Sequence, residues 1–233
     1  MLYLIGLGLN ERGISKEGLL TLEKCKKVYL EGYTIDFPYK LDDLKLGKKK
    51  IIKLGRNEVE SDKLIKEAKS VNIALLVYGS PLFATTHISL ILDAEKSGVK
   101  TKTIYSASVF DALAETGLQL YKFGKIASMP KQEASFLQYV KENMTIGAHS
   151  LILVDIGLNF KEAIDRLEKE TGKEDIRFDK LVVCSRLGTE ESKILYGKIK
   201  ELKKQKAQIQ APFCFIIPSE LHFLEKEALE RFR

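Results

Sequence analysis

The 233-residue chain is 45% hydrophobic and 30% charged, which excludes a disordered polypeptide and describes a globular protein with a well-charged surface. No apolar run approaches the roughly 20 residues that a membrane-crossing helix needs. The net charge of +6 favours encounters with an acidic or RNA-bearing partner. The lysines, however, gather in 45–53 and 198–206 with no aromatic residues placed for base stacking, so a solvated face is the simpler reading.

The opening "MLYLIGLGLN" lacks a basic leader and a small-residue cleavage site, and it reads as a buried first strand. Apolar runs follow at 26–33, 50–54, 72–78 and 102–106, each with strand character. Helical periodicity lies between the later ones. Residues 58–70 place Val59, Leu64, Ile65 and Ala68 on one face, and 86–98 ends on a lysine, a serine and the C-terminal Gly98. Thr85 and Thr86 are positioned to cap the start of that second helix.

Residues 106–124 predict a further helix, left through Gly117 and Gly124, and the domain boundary is placed there, giving residues 1–110 and 111–233. A length of 233 residues suits two modest domains better than one. The second half predicts strands at 124–129, 149–157, 180–188 and 213–218. It also predicts a helix at 159–172 with Asn159 as its cap, and a Ser-initiated helix over 218–232. Near-continuous apolar strands separated by helices point to an α/β chain with mostly parallel sheet covered on both faces. Cys25, Cys184 and Cys214 are odd in number and have no histidines at ligand spacing. They read as free, buried thiols of a cytoplasmic protein, and the chain offers no metal-binding constellation.

In such folds ligands sit beyond the C-terminal ends of strands. Three small-residue exits meet that description: Gly6 to Asn10, Gly79 to Phe83, and Ser106 to Val109. None carries a dinucleotide fingerprint or a Walker sequence, so nucleotide phosphate binding is unsupported. Ser80 and His87 suggest a nucleophile and base, but no G-x-S-x-G elbow surrounds the serine. His149 and His222 each stand alone and read as structural. Asp155, ending an apolar strand, has two open readings: a buried carboxylate with a backbone partner, or the border of a pocket.

Taken in order, "LYLIGLGL", "GSPLFATTH", "SASVF", "TGLQLYKFGK" and "IIPSELHFLE" resemble the diphthine synthases, methyltransferases of the tetrapyrrole-methylase-like class, over nearly the whole chain. General α/β architecture demands neither "ATTH" nor "YKFGK". The resemblance implies a two-domain homodimer that binds S-adenosylmethionine in a cleft between domains. It also implies methyl transfer to the amino group of a modified histidine on translation elongation factor 2, toward diphthamide. A tetrapyrrole (corrin) substrate on the same fold, and a non-enzymatic basic RNA-binding module, are the competing readings.

Motif matching implies cofactor contacts at Leu9, Ser80, Phe83, Ser108 and Val109 in the first domain, and at Val154, Leu187 and Phe213 in the second. It implies no catalytic acid or base. Arg12, Lys122 and Arg186 are candidates, by proximity to these motifs, for orienting the acceptor's carboxylate. The chain departs from the family pattern at Ser80, where Gly-Asp-Pro is usual, so a hydroxyl replaces a carboxylate expected beside the cofactor.

Overall fold

In a computed structural model the described residues are 1–47 and 49–233, which leaves Lys48 of the 45–53 lysine run outside them. The chain divides into two compact units, Met1–Val109 and Phe110–Arg233.

The first unit contains β1 (Leu2–Gly6), α1 (Lys16–Glu23), β2 (Lys27–Glu31), β3 (Ile51–Leu54), α2 (Arg56–Val59), α3 (Lys63–Ala68), β4 (Ile73–Val77), α4 (Ile88–Lys96) and β5 (Thr101–Ile104). All five strands are parallel, in the order β3-β2-β4-β1-β5. Side chains alternate across the sheet with period two. Leu2, Leu4, Leu75 and Val77 pack on one face with Leu64, Ile65 and Leu90. Tyr3, Ile5, Ala74 and Leu76 pack on the other with Leu22 and Leu44. Both faces are therefore covered, and β4 and β1 are apolar throughout.

The helix expected over 58–70 is two helices. Ser61 breaks it, its hydroxyl donating to the Glu58 carbonyl (2.7 Å) and accepting from the Lys63 amide, a local alternative to helical bonding. Ahead of it, α1 is a helix the periodicity did not disclose, capped by the Ser15 hydroxyl on the Gly18 amide. At the end of α4, Gly98 takes the left-handed conformation expected of it (φ 73°).

The second unit contains α5 (Val109–Ala112, which starts on the last residue of the first), β6 (Ala127–Met129), α6 (Phe136–Thr145), β7 (Ser150–Val154), α7 (Phe160–Lys173), β8 (Leu181–Ser185), β9 (Lys193–Gly197), α8 (Ile199–Leu202), β10 (Phe213–Ile217) and α9 (Phe223–Glu230). Its strand order is β6-β7-β10-β8-β9. Here the expectation of a mostly parallel sheet fails. Only β6 and β7 are parallel, and β10 runs antiparallel to both neighbours. The cause lies in the connections: residues 186–192 between β8 and β9 are too few for the crossover of a dozen or more that parallel pairing needs. The core on one face joins Ile152, Val183, Phe213 and Phe215 to Phe136, Leu137, Phe160, Ile164 and Leu167 of α6 and α7.

The helix expected over 106–124 is broken. After α5 the chain tightens into a 3-10 turn at Leu113–Thr116, and Gly117 leaves it at φ 80°. The Thr116 hydroxyl closes this turn, donating to the Leu113 carbonyl and accepting from the Leu118 amide. In α7, Asn159 is the cap as expected, its side chain accepting from the Glu162 amide (3.0 Å) while Glu162 accepts from the Asn159 amide (3.1 Å). The final helix begins at Phe223 with His222 as its cap, not at Ser219.

All three cysteines are free and buried. Among the described residues no helix is long and apolar enough to cross a membrane. In the second lysine run Lys203 bridges Asp165 and Glu168, so that run is partly a structural clamp.

Candidate functional site

Parallel strands deliver their exits to one edge of a sheet, and β4, β1 and β5 are neighbours. The three small-residue exits therefore meet. Gly8 and Gly79 exchange backbone bonds, Gly79 N to Gly8 O at 2.9 Å and Gly8 N to Gly79 O at 3.2 Å. Both glycines take positive φ, 70° and 69°, which side-chain-bearing residues rarely adopt. The Tyr78 hydroxyl donates to the Leu9 carbonyl (2.9 Å), and the Ser106 hydroxyl donates to the Gly13 carbonyl (2.7 Å). A Cβ on Gly6 would stand 2.6 Å from the Gly79 carbonyl oxygen and 3.0 Å from Ser106 Cβ. At Gly6 the backbone packs too tightly for a side chain. Leu9, Ser80, Phe83, Ser108 and Val109 all lie on these exits; Leu9 and Ser108 are buried, and the other three are half-buried.

In the second unit, antiparallel pairing brings the start of β10 to the ends of β7 and β8. Phe213 is opposite Ser185, and Cys214 is opposite Leu153. Val154, Leu187 and Phe213 consequently share one edge of that sheet. Phe213 packs edge-on against Phe160 with ring centroids 5.8 Å apart, and Val154 leans on the same core, so both also serve packing. Arg186 takes a left-handed conformation (φ 49°). Its guanidinium bonds the Ala211 carbonyl (2.9 Å) and pairs with Glu191, which ties the exit of β8 to the entry of β10.

The tempting Ser80 and His87 pair does not form a nucleophile and base. The His87 Nδ1 bonds the Pro81 carbonyl (3.0 Å), and its Nε2 has no hydrogen-bond partner among the described residues. Neither threonine occupies the cap position of α4, which His87 holds, but the Thr85 hydroxyl accepts from the His87 amide at that helix start (3.4 Å) while donating to the Pro81 carbonyl (3.0 Å). Asp155 is exposed and accepts from the Ile156 amide, so the reading of it as a buried carboxylate is overturned.

The candidates for an acceptor's carboxylate fare unevenly. Arg12 is exposed beside Glu11, whereas Lys122 is engaged by Glu225 (2.6 Å) and the Glu220 carbonyl (2.7 Å). His149 and Glu225 form a buried centre that the sequence reading did not join. The Ser219 amide donates to His149 Nδ1, which leaves Nε2–H to donate to Glu225 Oε1 (3.0 Å). Burial pushes the His149 pKa down, against the opposing pull of Glu225. Burial would raise the Glu225 carboxyl, but donors from Lys122, the Gln119 amide, His149 and the His222 amide hold it at about 2.

Among the described residues, two of the cavities each lie within a single unit. One of about 370 Å³ is lined by Tyr33, Glu60, His87 and Asp93, and one of about 540 Å³ by Arg177, Tyr196, Lys226 and Glu230. Neither is lined by any of the eight expected cofactor residues.

Residues 1–203 match the family model of tetrapyrrole (corrin/porphyrin) methylases. The chain belongs to that family. Across the tetrapyrrole methylases it is similar to a protein of Methanocaldococcus jannaschii named diphthine synthase, 37% identical over 99% of this chain and 98% of that protein. A Schizosaccharomyces pombe protein named diphthine methyl ester synthase is 32% identical over 100% of this chain and 94% of its own. A crystal structure of diphthine synthase superposes with a TM-score of 0.90 at 32% identity, covering 99% of this chain and 95% of the other. This tetrapyrrole methylase is a methyltransferase enzyme.

Proposed function

We propose that this methyltransferase makes diphthine: with S-adenosylmethionine as methyl donor, it methylates the amino group of the modified histidine on translation elongation factor 2. The observation that carries the reading is similarity to diphthine synthases along essentially the full length of both partners. A corrin substrate is disfavoured for the same reason, because the likeness to diphthine synthases does not stop at the shared family fold. The name of the fungal relative includes a methyl ester, so carboxylate methylation is a second outcome, told apart by a methyl increment that mild base removes.

The residues fit the donor. When bound it supplies an electrophilic methyl group on a sulfonium. In the first unit Ser80, Phe83 and Val109 are half-buried and Leu9 and Ser108 are buried; in the second Val154 is half-buried and Leu187 and Phe213 are buried. Their chemistry suits an apolar adenosine and methionine stem, with hydroxyls and loop amides at the polar ends. Chemistry of this kind demands alignment and an unprotonated amine and requires no side-chain nucleophile. Holding two reactants in line supplies roughly 7–11 kcal/mol in favourable cases, enough for a site without a dedicated acid or base. The bonded exits serve that purpose, since the Gly8–Gly79 and Ser106–Gly13 bonds anchor the loops that carry Ser80, Phe83 and Ser108. A homodimer in the cytoplasm is the assembly and location that the resemblance supports.

Calorimetric titration with S-adenosylmethionine tests the donor. Saturable binding is expected, and no heat at millimolar ligand would refute the reading.

A further inference from the structure

His87 is a costly residue for its place. It is 2% exposed, its Nε2 has no hydrogen-bond partner among the described residues, and it holds the cap position of α4 without making a side-chain cap bond. A buried polar atom left unpaired opposes folding, and so does a forgone cap. An apolar side chain of similar size would avoid the first penalty. What the imidazole contributes in return is one bond, from Nδ1 to the carbonyl of Pro81 (3.0 Å).

That carbonyl is a node. The Thr85 hydroxyl also donates to it (3.0 Å), and the same hydroxyl accepts from the His87 amide at 3.4 Å. To bring both donors back beneath Pro81 the chain reverses through Ala84, held at φ 52° in the left-handed region that disfavours a side chain. The start of the loop is fixed independently, by the paired backbone bonds between Gly8 and Gly79. Between these anchors lie Ser80 and Phe83, joined by a turn bond from the Phe83 amide to the Ser80 carbonyl (3.2 Å). A helix cap, a satisfied nitrogen and relaxed backbone are all given up around one carbonyl. Local rules broken together in this way mark a functional constraint.

We propose that His87 is a positioning residue for methyl transfer: together with Thr85 it clamps the Pro81 carbonyl and so sets the Gly79–Phe83 turn in the shape that presents Ser80 and Phe83 to the cofactor. This rests on the cofactor reading above. The role requires a donor at the Nδ1 position and makes no use of Nε2. Asparagine places its amide nitrogen close to where Nδ1 stands, whereas leucine fills the space and donates nothing.

The test measures S-adenosylmethionine affinity, KM and kcat, and thermal midpoint for the full-length wild type and for His87→Leu, His87→Asn and Thr85→Val. Loss of one bond to the node should weaken cofactor affinity about fivefold to tenfold in His87→Leu, with kcat nearly unchanged. Its thermal midpoint should stay level or rise. His87→Asn should restore affinity to within about threefold of wild type. Amide deuterium exchange of residues 79–87, read without cofactor, should quicken in His87→Leu and not in His87→Asn. Thr85→Val removes the second donor from the same carbonyl with little change of shape, so it decides the matter if His87→Leu does not fold. Unchanged affinity in these variants while wild type binds would overturn the clamp alone. So would a loss that asparagine fails to rescue, or one matched by a falling thermal midpoint. No binding by the wild type would overturn the clamp together with the cofactor reading.

Discussion

Ser80 is where the chain departs from the pattern it otherwise resembles, and the departure has a consequence. A hydroxyl on the half-buried loop can exchange hydrogen bonds with a cofactor's ammonium group, but it cannot attract it as a charge. Ser80→Asp should therefore tighten S-adenosylmethionine binding, by about twofold to fivefold on the scale of a partly exposed ion pair, as measured by calorimetry. Unchanged or weaker binding would refute the assignment of Ser80 to the cofactor's polar end. The buried His149–Glu225–Lys122 centre makes a different prediction. Both the His149 and Glu225 pKa values are depressed by folding, so each contributes stability that is complete above its unfolded value and lost as the pH falls. Stability should slip below about pH 6.5, where His149 of the unfolded chain takes up a proton that the buried imidazole resists. It should then drop by about 3 kcal/mol more between pH 4.5 and 2 as Glu225 protonates. Urea unfolding across that range would show it, and Glu225→Gln should flatten the lower limb. Sequence alone presented His149 and Glu225 as unrelated residues 76 positions apart. Nothing short of the fold could pair them, because antiparallel β10 and the turn into α9 bring Glu225 back beside the start of β7.

At the scale of elements, the glycine exits hold the account together. Gly6→Ala should strain β1 against β4, because the added methyl meets a backbone carbonyl that cannot yield cheaply. A cost of about 1–3 kcal/mol is expected, with a matching fall in thermal midpoint and weakened cofactor binding. Full retention of both would show that the exits tolerate slack. Asn159→Ala serves as a control away from these loops: losing the cap of α7 should cost about 1 kcal/mol in denaturant unfolding and leave cofactor affinity unchanged. The elements also show what patterning can reveal. The first sheet was legible because its central strands β1 and β4 are buried on both faces and read as unbroken apolar runs. Strand β9, "KILYG", carries a lysine and half-buried residues at an edge, and its pattern did not announce a strand. The broken helices at 58–70 and 106–124 misled for one reason. Apolar periodicity continues across Ser61 and Thr116, while their hydroxyls take the backbone bonds that a continuous helix would need.

For the whole molecule, family membership was legible because separated motifs occur in order along the chain, and physics explains why those segments stand out. "GLGL" and "GSPLF" are constrained by glycines at positive φ and by backbone in direct contact. "ATTH" is constrained by the Pro81 carbonyl. "YKFGK" and "PSELHFLE" meet in the second unit, where Lys122 and the Gln119 amide reach Glu225. The reaction itself makes one direct demand on the intact protein. Elongation factor 2 carrying the unmethylated histidine intermediate, incubated with the protein and S-adenosylmethionine and weighed by mass spectrometry, should gain methyl increments on the peptide bearing that histidine. An unchanged mass, under conditions where calorimetry shows the cofactor bound, would contradict the account.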